Sequence, residues 1–197
     1  MTITITRNSS FHFVRHGVTE QNFRGLRCGG DLDVPLTDVG CDQAYLLAKQ
    51  LAKMGITPGL ILCGSLMRAR QTALIMSGVL GGVEMQVNAL LDERRLGQWN
   101  NQPIADTEPA LKRGETPPGG ESEAEFSARV ARGLQDIVPL LARTPLVVSS
   151  KGVGRILNTI LGGEGRLQVS NGEVVEFHLA PGTGGAPVLD LRRPHQV

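Results

Sequence analysis

Short apolar runs alternate with amphipathic stretches along most of the chain, and no other feature restricts the fold as much. Phe11-His12-Phe13-Val14, Leu60-Ile61-Leu62-Cys63, a weaker Val83 to Val87, Leu146-Val147-Val148-Ser149, Val174 to Leu179 and Val188 to Leu191 read as strands. Thr37 can cap a helix running to Met54, with Ala44, Leu47, Ala48, Leu51 and Met54 on one face and Gly55 at its end. Ser65 can cap a second helix. Ser122 and Glu125 form a capping box for a long one, in which Phe126, Val130, Leu134, Ile137 and Leu141 recur at helical spacing. A further helix is expected from about Val153 to Leu161. Apolar strands alternating with such helices predict an α/β fold whose mostly parallel central sheet is covered on both faces. Ligands gather beyond the carboxyl ends of strands in such sheets, where Arg15-His16, Ser65 to Arg68 and Ser150-Lys151 fall.

Composition sets outer bounds. The 197 residues, 41% of them hydrophobic, suffice for one well-cored domain over residues 1–197, and a net charge of +1 gives no general electrostatic reason to bind nucleic acid or an anionic membrane. No apolar stretch is long enough to span a bilayer, and Met1 to Thr6 lacks the pattern of a secretion signal, so a cytoplasmic protein is expected. Cys28, Cys41 and Cys63 fit neither a disulfide framework nor a paired metal-ligand pattern, so reduced thiols are expected; no cluster of carboxylates, histidines or cysteines has coordinating spacing, and no metal or other cofactor is expected. Glycines and prolines are spread as turn punctuation, and no repeat is visible.

The chemistry concentrates in Arg15-His16-Gly17-Val18-Thr19-Glu20-Gln21-Asn22. A histidine placed just after a strand and beside an arginine can offer an imidazole nitrogen to phosphorus while cations hold the phosphate oxygens. This stretch resembles the R-H-G-x-T-x-x-N signature of the histidine phosphatase superfamily, also called phosphoglycerate-mutase-like. Further segments resemble that family in the same order. They are Gly30 to Gly40, Ser65-Leu66-Met67-Arg68-Ala69-Arg70-Gln71-Thr72-Ala73, Leu91-Asp92-Glu93 through Gly97-Gln98-Trp99, and Gly119-Gly120-Glu121-Ser122. The resemblance covers roughly residues 11 to 180 and implies a three-layer α/β/α sandwich.

It also implies roles. His16 would be the nucleophile, with its other ring nitrogen donating to a backbone carbonyl and so fixing the tautomer. Arg15 and Arg68 would clamp phosphate oxygens through their planar donors, with Asn22 and Thr19 as further contacts, although Thr19 can equally hold the loop. Glu93 would protonate the leaving oxygen and then activate water. Its alternative is a salt bridge to Arg94 or Arg95. Glu121 and Ser122 are as suited to starting a helix as to touching substrate, and Trp99 to packing. Residues between Gln102 and Pro118 are expected to contribute to a lid.

One family element is replaced. Where the family carries a second histidine in a V-S-H-G-G-x-x-R segment, this chain has Val148-Ser149-Ser150-Lys151-Gly152-Val153-Gly154-Arg155. His12 and His178 could substitute only by unusual geometry, and His195 is less suited still. Lys151 can supply a point cation instead, which places Ser150 and Lys151 among the expected substrate-binding residues. The resemblance thus implies a metal-independent phosphohydrolase for a small phosphorylated metabolite, the short chain being similar to α-ribazole-phosphate phosphatases among others. A catalytically degenerate binder of a phosphorylated ligand and a phosphomutase are the alternatives. Assembly with further copies of the chain is left open.

Overall fold

The computed structural model describes residues 3–164, 167–183 and 186–194, so His195 lies outside the described residues. Its strands are β1 (Ser9–Arg15), β2 (Ile61–Cys63), β3 (Met85–Val87), β4 (Leu146–Ser149), β5 (Val174–Pro181) and β6 (Pro187–Arg192), in the order β3-β2-β4-β1-β5-β6. The first four pair in parallel, while β5 and β6 are antiparallel additions at one side. The helices are α1 (Glu20–Phe23), α2 (Asp38–Lys53), α3 (Met67–Val79), α4 (Ile104–Lys112), α5 (Glu123–Ile137) and α6 (Lys151–Ile160).

Successive strand side chains point to opposite faces, and here both faces are apolar. Phe11, Phe13, Leu62, Val147 and Phe177 pack with Phe126, Val130 and Leu134 of α5 and Val153 and Leu157 of α6. Val14, Ile61, Cys63, Leu146 and Val148 pack on the other side with Ala44, Leu47, Ala48 and Leu51 of α2 and Ala73 and Met76 of α3. Two helix layers therefore enclose a mostly parallel sheet, as the alternation of runs requires. Phe11 stacks on Phe177 with ring centroids 4.7 Å apart. Burying one such ring contributes about 1.5–3 kcal/mol.

Local signals hold in most places. Thr37 caps α2 by accepting from Gly40 N–H, and Ser122 with Glu125 completes both bonds of the capping box on α5. Leu141 lies beyond α5, in a 3₁₀ extension over Val138–Arg143. Ser65 does not cap α3. Its hydroxyl and its N–H both go to Asp92, at 2.5 and 2.6 Å, and the cap position passes to Leu66. The freed Met67 N–H at the start of α3 is taken by Asp33, 2.6 Å away on a distant loop. Residues 102–118, expected as part of a lid, contain α4 despite Pro109 inside it. Arg27 fastens α4 to the loop after α1, reaching Thr107 at 2.8 Å and Glu108 at 2.7 Å.

Candidate active site

β1 and β4 run side by side with Arg15 opposite Ser149, so the next residues, His16 and Ser150, leave the sheet as neighbours. His16 N–H donates to the Ser149 carbonyl at 2.9 Å, which extends the pairing past the strand ends. The His16 ring is buried, and its Nδ1 lies 2.8 Å from the Gly17 carbonyl oxygen. A carbonyl only accepts, so Nδ1 carries the proton and Nε2 keeps its lone pair. Burial holds the imidazole well below its ordinary range; the charges of Arg68 and Arg15 add to this, against the opposing bond to Gly17. The ring is therefore neutral at neutral pH. Gly17 has to be a glycine, because a Cβ there would run into the backbone of Gly40 at the start of α2.

Arg68 is fully buried at the first turn of α3. It donates from Nη1 to the Leu32 carbonyl at 2.9 Å and from Nη2 to the Gly29 carbonyl at 3.1 Å. Arg15 donates from Nη1 to the Val169 carbonyl at 3.2 Å. The Nε of each is buried with no partner among the described residues. A buried donor left unmatched costs about 1–3 kcal/mol, so two beside one imidazole mark a place suited to an anion. Burial lowers the Arg15 pKa, with the Glu93 carboxylate opposing and the Arg68 charge adding, which places all three within electrostatic reach.

The loop after His16 is held by a network that only partly follows from sequence. Thr19 is fully buried, and its hydroxyl accepts from Asn22 N–H at 3.3 Å while Asn22 Oδ1 accepts from Thr19 N–H at 3.3 Å. Thr19 thus organises the loop as the cap of α1. Asn171, which sequence reasoning missed, donates to the His16 carbonyl at 2.8 Å and to Asn22 Oδ1 at 3.2 Å. Cys28 is half-buried in the following loop. Its thiol pKa is raised by burial, with Arg68, Glu93 and Asp33 as charged neighbours and Thr19 as a hydrogen-bond partner.

Glu93 approaches from the turn after β3. Its Oε1 accepts from Arg94 N–H at 2.8 Å and its Oε2 from Gly152 N–H at 3.0 Å, in the first turn of α6. Neither arginine neighbour pairs with it: Arg94 goes to Glu123 at 3.0 Å and Arg95 to Glu121 at 3.2 Å. Gly152 has no room for a side chain, since a Cβ would overlap the Glu93 carboxylate. Ser150 is buried at the cap position of α6 without a side-chain cap bond, and Lys151 opens that helix with an exposed side chain. α6 begins two residues earlier than its apolar spacing indicates.

No other described imidazole reaches these strand ends. His12 is buried in the middle of β1, opposite Leu146 and Glu176, and burial lowers its pKa against the pull of Glu176. His178 faces Ser10 near the amino end of β1, where both line a cavity of about 360 Å³ together with Arg7 and Thr144. Glu121 and Ser122 both serve the protein itself, Ser122 as the α5 cap and Glu121 in an ion pair with Arg129. Among the described residues no group of three or more His, Cys, Asp or Glu side chains is arranged to hold a metal ion, and no helix is long and apolar enough to cross a membrane.

Comparison with known proteins shows the family. The sequence profile of the histidine phosphatase superfamily (branch 1) matches residues 11–186, and the chain belongs to that family. A Yersinia pestis (strain Pestoides F) protein named "Probable phosphoglycerate mutase GpmB" is 34% identical over 176 residues, covering 81% of this chain and 80% of that protein. The structure of a mycobacterial glucosyl-3-phosphoglycerate phosphatase, solved with VO3, superposes with a TM-score of 0.76 at 23% identity, over 93% of this chain and 97% of that one. TTHB049 from Thermus thermophilus superposes with a TM-score of 0.65 at 29% identity, over 85% and 92%. The family joins phosphatases and phosphoglycerate-mutase-like proteins, and either activity fits this fold.

Proposed function

We propose that this chain hydrolyses a small phosphomonoester through a phosphohistidine formed on His16. The observation that carries the reading is a buried imidazole with its Nε2 lone pair directed by the Nδ1 bond to Gly17, beside the buried Arg68 and the half-buried Arg15, each with a buried Nε to spare. In the first half-reaction Nε2 attacks phosphorus and the bond from phosphorus to the leaving oxygen breaks. Glu93 gives that oxygen its proton. In the second, Glu93 takes a proton from water as the water oxygen attacks phosphorus, the P–N bond breaks and inorganic phosphate leaves.

Arg15, Arg68 and Asn22 hold the three non-bridging oxygens in this reading, and charge neutralisation by arginine makes a divalent ion unnecessary. Lys151 stands in for part of the family's missing second histidine, with Ser150 as a short neutral donor beside it. The replacement also favours a second reading, a binder of phosphorylated ligands that turns over poorly, since one lost donor costs on the order of a hundredfold in rate. A phosphomutase shares the first half-reaction and is favoured by the name of the Yersinia relative.

The deciding experiment is a screen of phosphorylated metabolites with wild type beside His16→Ala. Release of inorganic phosphate that the substitution removes supports the hydrolase. Ligand binding without turnover supports the binder, and an isomeric phosphoester as product supports the mutase.

A further inference from the structure

We propose that the largely buried Glu121–Arg129 pair is a positioning device for the Glu93 carboxylate, acting through the main chain of residues 90–95; this rests on Glu93 being the proton donor of the reaction above. Arg129 reaches in from the second turn of α5, and each of its five N–H groups is used. Nη1 donates to the carbonyls of Leu90 at 3.0 Å and Asp92 at 2.9 Å, and Nη2 to the carbonyl of Glu93 at 3.0 Å. The remaining donors, on Nε and Nη2, bind the two carboxylate oxygens of Glu121, each at 2.8 Å. Glu121 is itself 2% exposed and takes two further bonds from Arg95, at 2.9 Å from the backbone N–H and 3.2 Å from Nη2.

One turn therefore has three of its carbonyls and one of its N–H groups fixed by a single ion pair, and Glu93 sits at the middle of it. Burial works to raise the Glu121 pKa, but Arg129 and the Arg95 N–H outweigh it, so the carboxylate stays charged and the pair intact. Replacing a buried ion pair with apolar residues is often neutral for stability, so fixed geometry is the property this pair supplies. The same turn is tied to α6. The Glu121 carbonyl accepts from Arg94 Nε at 2.9 Å, Arg94 reaches Glu123, and Glu123 binds Arg155 of α6 at 2.6 Å. That helix provides the Gly152 N–H on which the Glu93 carboxylate rests. Backbone and carboxylate of the acid are thus held from two sides, and a proton donor displaced by about 1 Å can lose about a hundredfold in rate.

The test compares phenyl phosphate, which needs leaving-group protonation, with 4-nitrophenyl phosphate, which needs little. Arg129→Lys keeps the charge but cannot span three carbonyls. It is expected to lower kcat/KM, which reports phosphoryl transfer to His16 and not the shared water step, about tenfold or more on phenyl phosphate and by less than about threefold on 4-nitrophenyl phosphate. Glu121→Gln, with nearly the same shape, is expected to shift the same ratio in the same direction, and it carries the test if Arg129→Lys fails to give a cooperative melt. Equal loss on both substrates, or an unchanged ratio in a folded variant, overturns the positioning role. Glu93→Gln is measured alongside. If it shows no preference for the poor leaving group, the proton-donor reading itself has failed, whereas a preference in Glu93→Gln that both clamp variants lack removes only the present proposal.

Discussion

Two strand ends meet at the site, and they differ in what they retain. After β1 the chain keeps the whole Arg15-His16-Gly17 pattern with Thr19 and Asn22, and nearly every group there is bound to something else in the protein. After β4, where the family resemblance implies a histidine and a glycine, the chain carries Ser150 and Lys151, followed by Gly152 and Arg155. The retained residues are those with a job inside the fold: Gly152 makes room for Glu93, and Arg155 binds Glu123. The replaced ones stand at a cap position that makes no side-chain cap bond and at an exposed first turn. Space and ion pairing therefore constrain the second end from residue 152 onward, and Ser150 before it is buried.

The largest effect expected is at the first end. His16→Ala should lower turnover by at least about a thousandfold, because no described imidazole can replace it. Residual activity above a tenth of wild type in phosphate-release assays would break the comparison. At the second end the largest effect belongs to Gly152→Ala, whose new methyl displaces the Glu93 carboxylate. It should cost about 1–3 kcal/mol in denaturant unfolding and at least about tenfold in kcat. Wild-type values for both would remove the steric account of that glycine.

Lys151→Ala is expected to lower kcat/KM about tenfold, equivalent to about 1.4 kcal/mol of transition-state stabilisation. Ser150→His alone should help little, because the lysine already serves that side of the phosphate. A Lys151→Ala protein with unchanged kinetics, together with a rate gain in Ser150→His/Lys151→Gly, would favour the poor-turnover binder instead.

The smallest effect concerns pH. His16 and His12 both have pKa values below the ordinary 6.5 in the folded chain. As pH falls through about 6.5 the unfolded chain takes up protons that the folded chain refuses, so stability is full above that value and declines below it. The decline continues until the folded-state values are reached. Melting temperatures from pH 8 to pH 5 should fall, and fall less steeply in His16→Gln. An identical slope in the variant would show that the His16 environment is not the cause.

The fold was largely legible because its signals are local and periodic. Thr37 and the Ser122–Glu125 box announce their helices in sequence, and the apolar runs locate the strands to within a few residues. α4 was hidden because Pro109 removes a helical hydrogen bond and masks the spacing. At the site, His16, Arg68 and Glu93 stand out by residue type and order, whereas their supports do not. Asn171 reaches the His16 carbonyl across 155 positions, Asp33 binds Met67 N–H across 34, and Arg129 grips the Glu93 carbonyl across 36. Such contacts join a side chain to a remote backbone and leave no periodic trace. The Ser65 cap went astray for the same reason, since Asp92, 27 residues on, competes for that hydroxyl.

The central claim is that the first strand end carries the transferred phosphoryl group. Rapid quenching after incubation with phosphorus-labelled aryl phosphate tests it directly. The account predicts a protein-bound label that is acid-labile and base-stable, maps to the peptide containing His16 and is absent from His16→Ala. Steady turnover by wild type with no such label, or the same label on His16→Ala, would contradict it.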